Sequence, residues 1–133
     1  MILGVGTDLL RRDRLAPAFL GDDSALVRKT YTDAERRQAL ARPDPARYLQ
    51  SRFAAKEAVF KSLGADPQHA RLIDIEVLGG SDVPPTVTLH GGLAAHAAHR
   101  GIIRVLLSLS YETDHVIAFA IAVGGGAHEG VIP

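Results

Sequence analysis

The chain has 133 residues, of which 47% are hydrophobic, and its 15 Lys and Arg balance its 15 Asp and Glu. This length predicts a single domain with a small core and modest stability, and oligomerisation commonly stabilises chains of this size further. The balanced charge does not suggest a nucleic-acid partner. The sequence has no cysteine, which excludes disulfides and thiolate metal sites and favours a cytoplasmic location.

The charges are unevenly placed along the chain. Residues 1–61 carry 12 Lys and Arg against 8 Asp and Glu, a surplus of four positive charges that residues 62–133 offset. A surface for an anionic partner is therefore expected in the first half, although a solvated helical surface is the plainer explanation of charge asymmetry alone.

The longest apolar run, residues 116–123, is far shorter than the ~20 residues that span a bilayer, so no membrane partner is expected.

The first half is predicted to hold one strand and then helices. Hydrophobic spacing and turn residues predict a strand over residues 1–7 that ends at Asp8, a helix over 9–20, a turn over 21–24 and a short basic segment over 26–31. Thr32 and Glu35 have the spacing of a capping box, which opens a helix that runs to about Ala41. Gly4 and Gly6 do not form a dinucleotide-binding fingerprint, because the third glycine of that motif is missing.

A long helix is predicted over residues 46–63. Pro43 and Pro45 break the preceding helix, and Asp44 between them can cap the new one. Gly64 follows the last predicted residue and is a typical C-terminal stop. This is the longest helix that the sequence predicts.

The long helix carries charge on its apolar face. At 100° per residue, its apolar stripe consists of Leu49, Phe53, Phe60 and Leu63. Lys56 falls in the middle of this stripe, and Glu57 and Lys61 lie one turn apart on its flank. Because a charge that points inward needs a partner, a metal or an anion, the helix is predicted to form one wall of a polar cleft.

The second half changes to strands. The predicted order is a strand over residues 72–78, a turn over 79–82, a strand over 86–90, a short helix over 92–99, and strands over 102–110 and 115–123 joined by a turn over 111–114. The sequence thus predicts an α+β fold in which N-terminal helices, one of them long, pack on a mostly antiparallel sheet. A single domain is predicted over residues 1–123, with a flexible, Gly-rich tail over 124–133.

The residues alone leave two explanations open for each charged position of the cleft. Asp8 is either a ligand for a hard cation such as Mg²⁺ or a helix N-cap, and its local sequence favours the cap. Glu57 is either a second carboxylate ligand or half of a surface salt bridge with Lys61. Lys56 either meets an anion or extends along its stem to solvent. With Arg52 one turn earlier, three cations beside one carboxylate suit a pyrophosphate or nucleotide bound with Mg²⁺.

Three segments carry a resemblance to one enzyme family. They are GVGTD at residues 4–8 followed by Arg14, RFAAKEA at residues 52–58 followed by Lys61 and Gly64, and VLLSLS at residues 105–110. In order, spacing and total length, the chain resembles the holo-(acyl-carrier-protein) synthases, which are the short AcpS-type 4′-phosphopantetheinyl transferases. The resemblance extends to about Val123, and its most specific part is the second segment.

The resemblance implies a Mg²⁺-dependent transferase. The enzyme would move the 4′-phosphopantetheine arm of CoA to a serine of an apo acyl carrier protein and release adenosine 3′,5′-bisphosphate. The carrier protein would belong to fatty acid biosynthesis, a branch of lipid metabolism, or to polyketide synthesis. The resemblance also implies the 4′-phosphopantetheinyl transferase fold and a homotrimer whose sites lie between chains.

The same resemblance implies roles for individual residues. Asp8 and Glu57 match the family's Mg²⁺ ligands. Glu57 and Lys61 match its catalytic residues, a carboxylate that deprotonates the serine and a lysine that neutralises or protonates the leaving group. The residues that match CoA contacts are Arg52, Lys56, Lys61, Gly64, Ser108 and Tyr111. The residues that match the docking surface for the acidic helix of the carrier protein are Arg14 and Arg28.

The third segment departs from the family pattern at two positions. Many members have histidines where this chain has Leu106 and Tyr111. Tyr111 keeps a hydroxyl that can contact phosphate, whereas Leu106 removes a polar group from the expected CoA side. An alternative function is therefore a catalytically impaired homologue that binds carrier protein or CoA without turnover. A third hypothesis, an α+β oligomerisation module, predicts no Mg²⁺-dependent binding of CoA.

Overall fold

A computed structural model describes residues 1–15, 17, 24–80 and 82–125 of the chain. The elements in chain order are strand β1 (Ile2–Arg11), a 3-10 turn (Arg12–Arg14), helices α1 (Ala25–Thr30), α2 (Asp33–Leu40) and α3 (Pro45–Leu63), 3-10 turns Pro67–His69 and Leu72–Asp74, strands β2 (Ile75–Leu78) and β3 (Thr86–Leu89), helix α4 (Gly91–His99), and strands β4 (Ile102–Tyr111) and β5 (His115–Gly124). All strand pairs in the described residues are antiparallel, and the predicted α+β class is confirmed.

The strands of the described residues form two antiparallel sheets. The larger has the order β1-β5-β4, so β5 is central, and β2 and β3 form a separate hairpin. In the larger sheet Asp8 lies opposite Ala118, and Ala118 lies opposite Leu109. The inner face of β5 is built of small, fully buried residues, namely Val116, Ala118, Ala120 and Ala122. This even surface lets α3 pack close to the sheet.

Two glycines bring β1 into backbone contact with α3. A Cβ atom on Gly4 would overlap the carbonyl oxygen of Ser62, and a Cβ on Gly6 would overlap that of Ala58. Any side chain at these positions would force the strand away from the helix. The contact places Thr7 and Asp8 beside the last turns of α3.

The helix ends follow the predicted capping residues. Thr32 Oγ1 accepts a hydrogen bond from the Glu35 backbone N–H at 3.2 Å, and Glu35 Oε1 accepts one from the Thr32 N–H at 2.8 Å. Asp44 caps α3 by accepting a bond from the Arg47 N–H. Gly64 ends α3 with a φ of 66°, a left-handed conformation that glycine adopts at little cost. The predicted caps of α2 and α3 are therefore confirmed.

The prediction of a helix over residues 9–20 is wrong where the structure describes them. β1 continues past Asp8, and residues 9–11 pair with residues 115–117 of β5. The strand continues because Leu10 packs against the core while Leu9 faces the other side of the sheet, an alternation that matches a strand. Residues 12–14 form a 3-10 turn, and residues 16 and 18–23, which include the end of this predicted helix and most of the turn after it, lie outside the described residues.

Three further boundaries differ from the prediction. Residues 72–74 form a 3-10 turn, so β2 begins only at Ile75. The segment predicted only as basic is largely helical, as α1. β5 includes Gly124, whose N–H donates to the Met1 carbonyl oxygen at 2.7 Å, so the predicted tail does not begin there.

The single domain over residues 1–123 stays a prediction. The rest of the predicted tail, residues 126–133, lies outside the described part of the chain. Among the described helices, none combines the length and the apolar character that crossing a bilayer requires.

Candidate active site

Three charged residues singled out from the sequence lie together between β1 and α3. Lys61, in the last turn of α3, donates from Nζ to the Thr7 carbonyl oxygen at 2.9 Å, and its Nζ lies 3.5 Å from Asp8 Oδ1. Glu57 lies one turn earlier on α3 and is near enough to Asp8 for the two charges to interact. The fold therefore brings Asp8, Glu57 and Lys61 into one site, which we call the carboxylate site.

The two carboxylates of this site are disfavoured as anions. Partial burial raises the pKa of Glu57, and the nearby charge of Asp8 raises it further. Burial also raises the pKa of Asp8, against the opposing effect of Lys61. The Asp8 side chain keeps only 19% of its surface exposed. Two like charges held close in a half-buried site oppose folding, and such arrangements are typical of functional sites.

The carboxylate site fits a hard divalent cation. Mg²⁺ prefers oxygen ligands and is commonly held by one or two carboxylates, while waters and substrate phosphates complete its coordination. The described residues contain no cluster of three or more His, Cys, Asp and Glu that could hold a metal by itself. Water or substrate oxygens would complete the coordination of a cation here, and the cation would relieve the repulsion from Asp8 that adds to the effect of burial on the pKa of Glu57.

A second candidate site lies nearer the start of α3. It is a cavity of about 300 Å³ lined by Arg42, Pro43, Asp44, Arg47, Tyr48, Arg52, Gly80 and Tyr111, and we call it the arginine pocket. The Tyr48 ring centre lies 4.9 Å from the guanidinium carbon of Arg42 and 4.3 Å from that of Arg52. The Tyr111 ring centre lies 5.3 Å from the guanidinium carbon of Arg47. Three guanidinium groups around one carboxylate give the pocket a positive charge that suits an anion.

Arg52 contributes a donor that lacks a partner. Its Nη1 donates to the Tyr48 hydroxyl at 3.2 Å and to the carbonyl oxygens of Val77 at 3.2 Å and Gly79 at 3.0 Å. Its Nη2 is buried and has no hydrogen-bond partner among the described residues. A Cβ atom on Gly80 would lie 3.0 Å from this nitrogen, so the glycine leaves room beside it. A buried donor without an acceptor is costly, and a bound anion would satisfy it.

Lys56 lies outside both of these sites in the single chain. Its side chain is fully buried, and Nζ lies 2.8 Å from Glu35 Oε1 in a buried ion pair. Nζ also donates to the carbonyl oxygens of Leu72, at 3.0 Å, and Ile75. Burial lowers the pKa of Lys56, while Glu35 opposes that shift. The observed partner of Lys56 is thus a carboxylate from α2, and a contact between Lys56 and a phosphate of CoA stays a prediction.

The side of the larger sheet that faces away from α3 carries exposed apolar residues, and we call it the outer face. Its members Val5, Leu9, Leu106, Ile117 and Phe119 are between 40% and 64% exposed. Ser108 lies opposite Phe119 in the register and is exposed on the same face. Asp8 faces α3 instead. Within one chain, Leu106 and Ser108 therefore lie across the sheet from the carboxylate site, and the expectation that Leu106 lies on its CoA side is not met there.

Gly64 has a structural reason for being glycine. Besides its left-handed φ, a Cβ here would lie 2.7 Å from Arg100 Nη1, which donates to the Leu63 carbonyl oxygen. Arg100 thus caps the end of α3 at the space that the glycine leaves. A contact between Gly64 and CoA stays a prediction.

The two residues predicted to dock the carrier protein, Arg14 and Arg28, are both exposed. Arg14 lies in the 3-10 turn after β1. Arg28 lines a cavity of about 640 Å³ at the end of α1, together with Lys29, Thr30 and residues 70–73. Arg71 belongs to that last segment, so the cavity, which we call the basic cavity, carries three cationic side chains.

Sequence reasoning missed most of the arginine pocket. Arg42, Arg47 and Tyr48 surround the proline break before α3, and their clustering around a helix start was a visible sign of a cationic surface. Gly80 enters the pocket from the β2–β3 connection, which no spacing in the sequence relates to α3. Glu35 was identified only as a capping residue, although it also holds Lys56.

Comparison with known proteins gives one consistent result. Residues 4–120 match a family model described as the 4′-phosphopantetheinyl transferase superfamily. The holo-(acyl-carrier-protein) synthase of Desulforudis audaxviator (strain MP104C) is 45% identical over 124 residues, which cover 93% of this chain and 95% of that protein. The Plasmodium yoelii acyl carrier protein synthase with ADP bound has a TM-score of 0.82 at 30% identity, covering 95% of this chain and 98% of that one. The ACPS-CoA complex of Chronobacterium ammoniagenes has a TM-score of 0.76 at 26% identity, covering 92% and 97%.

Proposed function

Because the chain belongs to the 4′-phosphopantetheinyl transferase superfamily, among its holo-(acyl-carrier-protein) synthases, we propose that it transfers the 4′-phosphopantetheine arm of CoA to a serine of an apo acyl carrier protein in the cytoplasm. The observation that carries the proposal is the meeting of Asp8, Glu57 and Lys61 between β1 and α3. The related CoA complex supports CoA as the donor, and the name of the Desulforudis relative supports the carrier protein as the acceptor.

The residues of the carboxylate site can supply the proton transfer and the charge neutralisation of this reaction. The serine oxygen attacks the phosphorus that bears the pantetheine arm, and the bond from that phosphorus to the bridging oxygen breaks. Glu57 is the carboxylate that accepts the serine proton. Lys61 neutralises or protonates the departing adenosine 3′,5′-bisphosphate. Mg²⁺ held by Asp8 and Glu57 would stabilise negative charge on the phosphates.

The arginine pocket suits a phosphate group of CoA away from the reacting bond. Arg52 and Glu57 are five residues apart on α3, which corresponds to a rise of about 7.5 Å along the helix and a rotation of about 140° around it. The two sites therefore lie on different sides of α3, and the arginine pocket would take a phosphate separate from the one at the carboxylate site. Arg52 Nη2 supplies an unpaired donor for the remote phosphate, and Tyr111 forms part of the same wall.

The carrier protein is proposed to dock on exposed cations of the first half. Arg14 and Arg28 match the family's docking positions, and the basic cavity adds Lys29 and Arg71 beside the second of them. A cationic surface of this kind steers an acidic partner and speeds its association. The carrier can belong to fatty acid or polyketide synthesis, and both are included in the assay below.

A homotrimer is supported by the outer face. Contiguous exposed apolar residues on one side of a sheet are typical of an interface between proteins. A neighbouring copy packed on this face would approach Leu106 and Ser108, so these positions could line the site of another chain.

Phe119→Glu is expected to dissociate this oligomer, because it places a charge in the middle of the apolar face. Size-exclusion chromatography with light scattering measures the molar mass. Leu40→Glu is the matched control, since Leu40 is 81% exposed on α2 and its replacement should leave the mass unchanged. A wild-type protein that is monomeric at micromolar concentration would contradict the proposal.

Mass spectrometry of the carrier protein tests the function itself. The chain is incubated with CoA, Mg²⁺ and several apo carrier proteins, and at least one carrier is expected to gain ~340 Da, the mass of a phosphopantetheinyl group on serine. If no carrier gains this mass while the chain is folded, the proposed transfer is wrong. Binding of CoA or carrier without that gain would favour the impaired homologue.

A further inference from the structure

We propose that Lys61 is the counter-ion of the carboxylate site in the metal-free protein, and that a divalent cation must displace it before it can contact a substrate phosphate. The inference rests on the proposed function for the identity of that phosphate. It is carried by the contacts of the Lys61 ammonium, which lies against Asp8 and the Thr7 carbonyl oxygen. Lys61 therefore has a second task besides neutralising the leaving group.

The path of the Lys61 side chain is set by β1. The Lys61 Cβ lies 2.9 Å from the position that a Cβ on Gly6 would take, so the stem crosses the strand directly over that glycine. Nζ then reaches the Thr7 carbonyl oxygen at 2.9 Å and Asp8 Oδ1 at 3.5 Å. The side chain is 53% exposed, so water can replace these contacts when the ammonium moves.

The ammonium and a divalent cation compete for the same oxygens. Asp8 Oδ1 faces Lys61, and Asp8 with Glu57 is the pair that fits the cation. Two positive charges at one carboxylate repel each other, so a bound cation drives the ammonium outward. The displaced lysine keeps its full charge and its free donors, and a phosphate held beside the cation is the nearest group that can use them.

This exchange couples the binding of cation and CoA. A cation that displaces Lys61 makes the lysine available to phosphate, and a phosphate that holds Lys61 leaves Asp8 free for the cation. Because coupling between two binding sites is reciprocal, each ligand is expected to raise the affinity for the other. Lys61 would then favour CoA on a protein that already holds its cation.

Direct titration with Mn²⁺ tests the exchange without measuring transfer. Mn²⁺ takes oxygen ligands like those of Mg²⁺, and electron paramagnetic resonance measures its free concentration. Lys61→Met is expected to bind Mn²⁺ about two- to fivefold more tightly than wild type in the absence of CoA, which is the range that loss of a partly exposed ion pair gives. Lys61→Arg keeps the charge and is expected to stay close to wild type.

Lys29→Met is the matched control, because it removes the same charge from α1 and is expected to leave Mn²⁺ affinity unchanged. If Lys61→Met binds Mn²⁺ as wild type does, or more weakly, or if neither protein binds it, the proposal is overturned. A calorimetric titration of CoA in the presence of Mn²⁺ separates this inference from the proposed function. Tighter Mn²⁺ binding by Lys61→Met, with no CoA binding by wild type, would uphold the exchange and reject the function.

Discussion

Glu57→Gln is expected to lower the rate of transfer by about 10²–10⁴-fold, the range that a general base contributes, and to leave the fold intact. The substitution removes the anion that accepts the serine proton and one of the two carboxylates that would hold Mg²⁺. Single-turnover transfer to the carrier protein, followed by mass spectrometry, measures the loss. Glu112→Gln is the matched control, because it removes an exposed carboxylate between β4 and β5 and is expected to keep the wild-type rate.

Thermal unfolding without divalent ions provides a second measurement on the same variant. The pKa of Glu57 is raised in the folded protein by burial and by Asp8, so its charge opposes folding. This unfavourable contribution is absent at low pH, where Glu57 is protonated, and it develops as pH rises through the raised pKa. Glu57→Gln is therefore expected to be at least as stable as wild type at neutral pH, with a difference that disappears on acidification.

In the transfer assay, a Glu57→Gln variant with the wild-type kcat would show that the roles assigned to Glu57, as proton acceptor and as metal ligand, are wrong.

Lys56→Met is expected to destabilise the protein by roughly 3–5 kcal/mol, because it leaves the buried carboxylate of Glu35 without its cation. Glu35 Oε1 would keep the Thr32 N–H as a donor and Oε2 the Val77 N–H, which is not enough to replace a charge partner. Urea unfolding followed by circular dichroism measures the loss. A drop in CoA affinity with unchanged stability would instead support the contact with phosphate that the sequence suggested.

The double variant Glu35→Met/Lys56→Met distinguishes a missing partner from a missing contact. Replacing both members of a buried ion pair by apolar side chains is often neutral or stabilising. The double variant is therefore expected to be more stable than Lys56→Met but less stable than wild type, because the Thr32 and Val77 N–H groups lose their acceptor. If both variants are equally unstable, packing rather than the unpaired charge of Glu35 determines the effect of the single change.

The sequence predicted those elements whose ends are marked by their own residues. The capping box at Thr32 and Glu35 and the Asp44 and Gly64 ends of α3 depend on contacts within a few residues, so local spacing reveals them. The prediction failed at Leu9 because that residue lies on the outer face, where apolar residues are exposed in the single chain. On sequence alone, the adjacent apolar residues Leu9 and Leu10, followed by basic residues, favour a helix. The strand is recognisable only once both faces of the sheet are known to carry apolar residues.

The candidate site could be predicted only in part, for a related reason. The charge pattern of α3 showed that Lys56 needs a partner, but it could not show that Glu35 of α2 supplies one. Likewise, Asp8 and Glu57 are far apart in sequence, and only the family resemblance suggested that they meet. The arginine pocket depends on Tyr111 and on the β2–β3 connection, whose approach to α3 is a property of the whole fold.

The backbone contact of Gly4 and Gly6 with α3 has a consequence for how the protein moves. Side chains can rotate apart and leave a gap, but two backbones in direct contact separate only when a whole element leaves. The carboxylate site lies across this contact between β1 and α3, with Asp8 on the strand and Glu57 on the helix. A backbone movement that separates the strand from the helix at this site therefore requires β1 to leave both β5 and α3, and we expect such an opening to cost nearly as much free energy as global unfolding. The amide hydrogens of β1 that bond to β5 should accordingly exchange among the slowest in the chain.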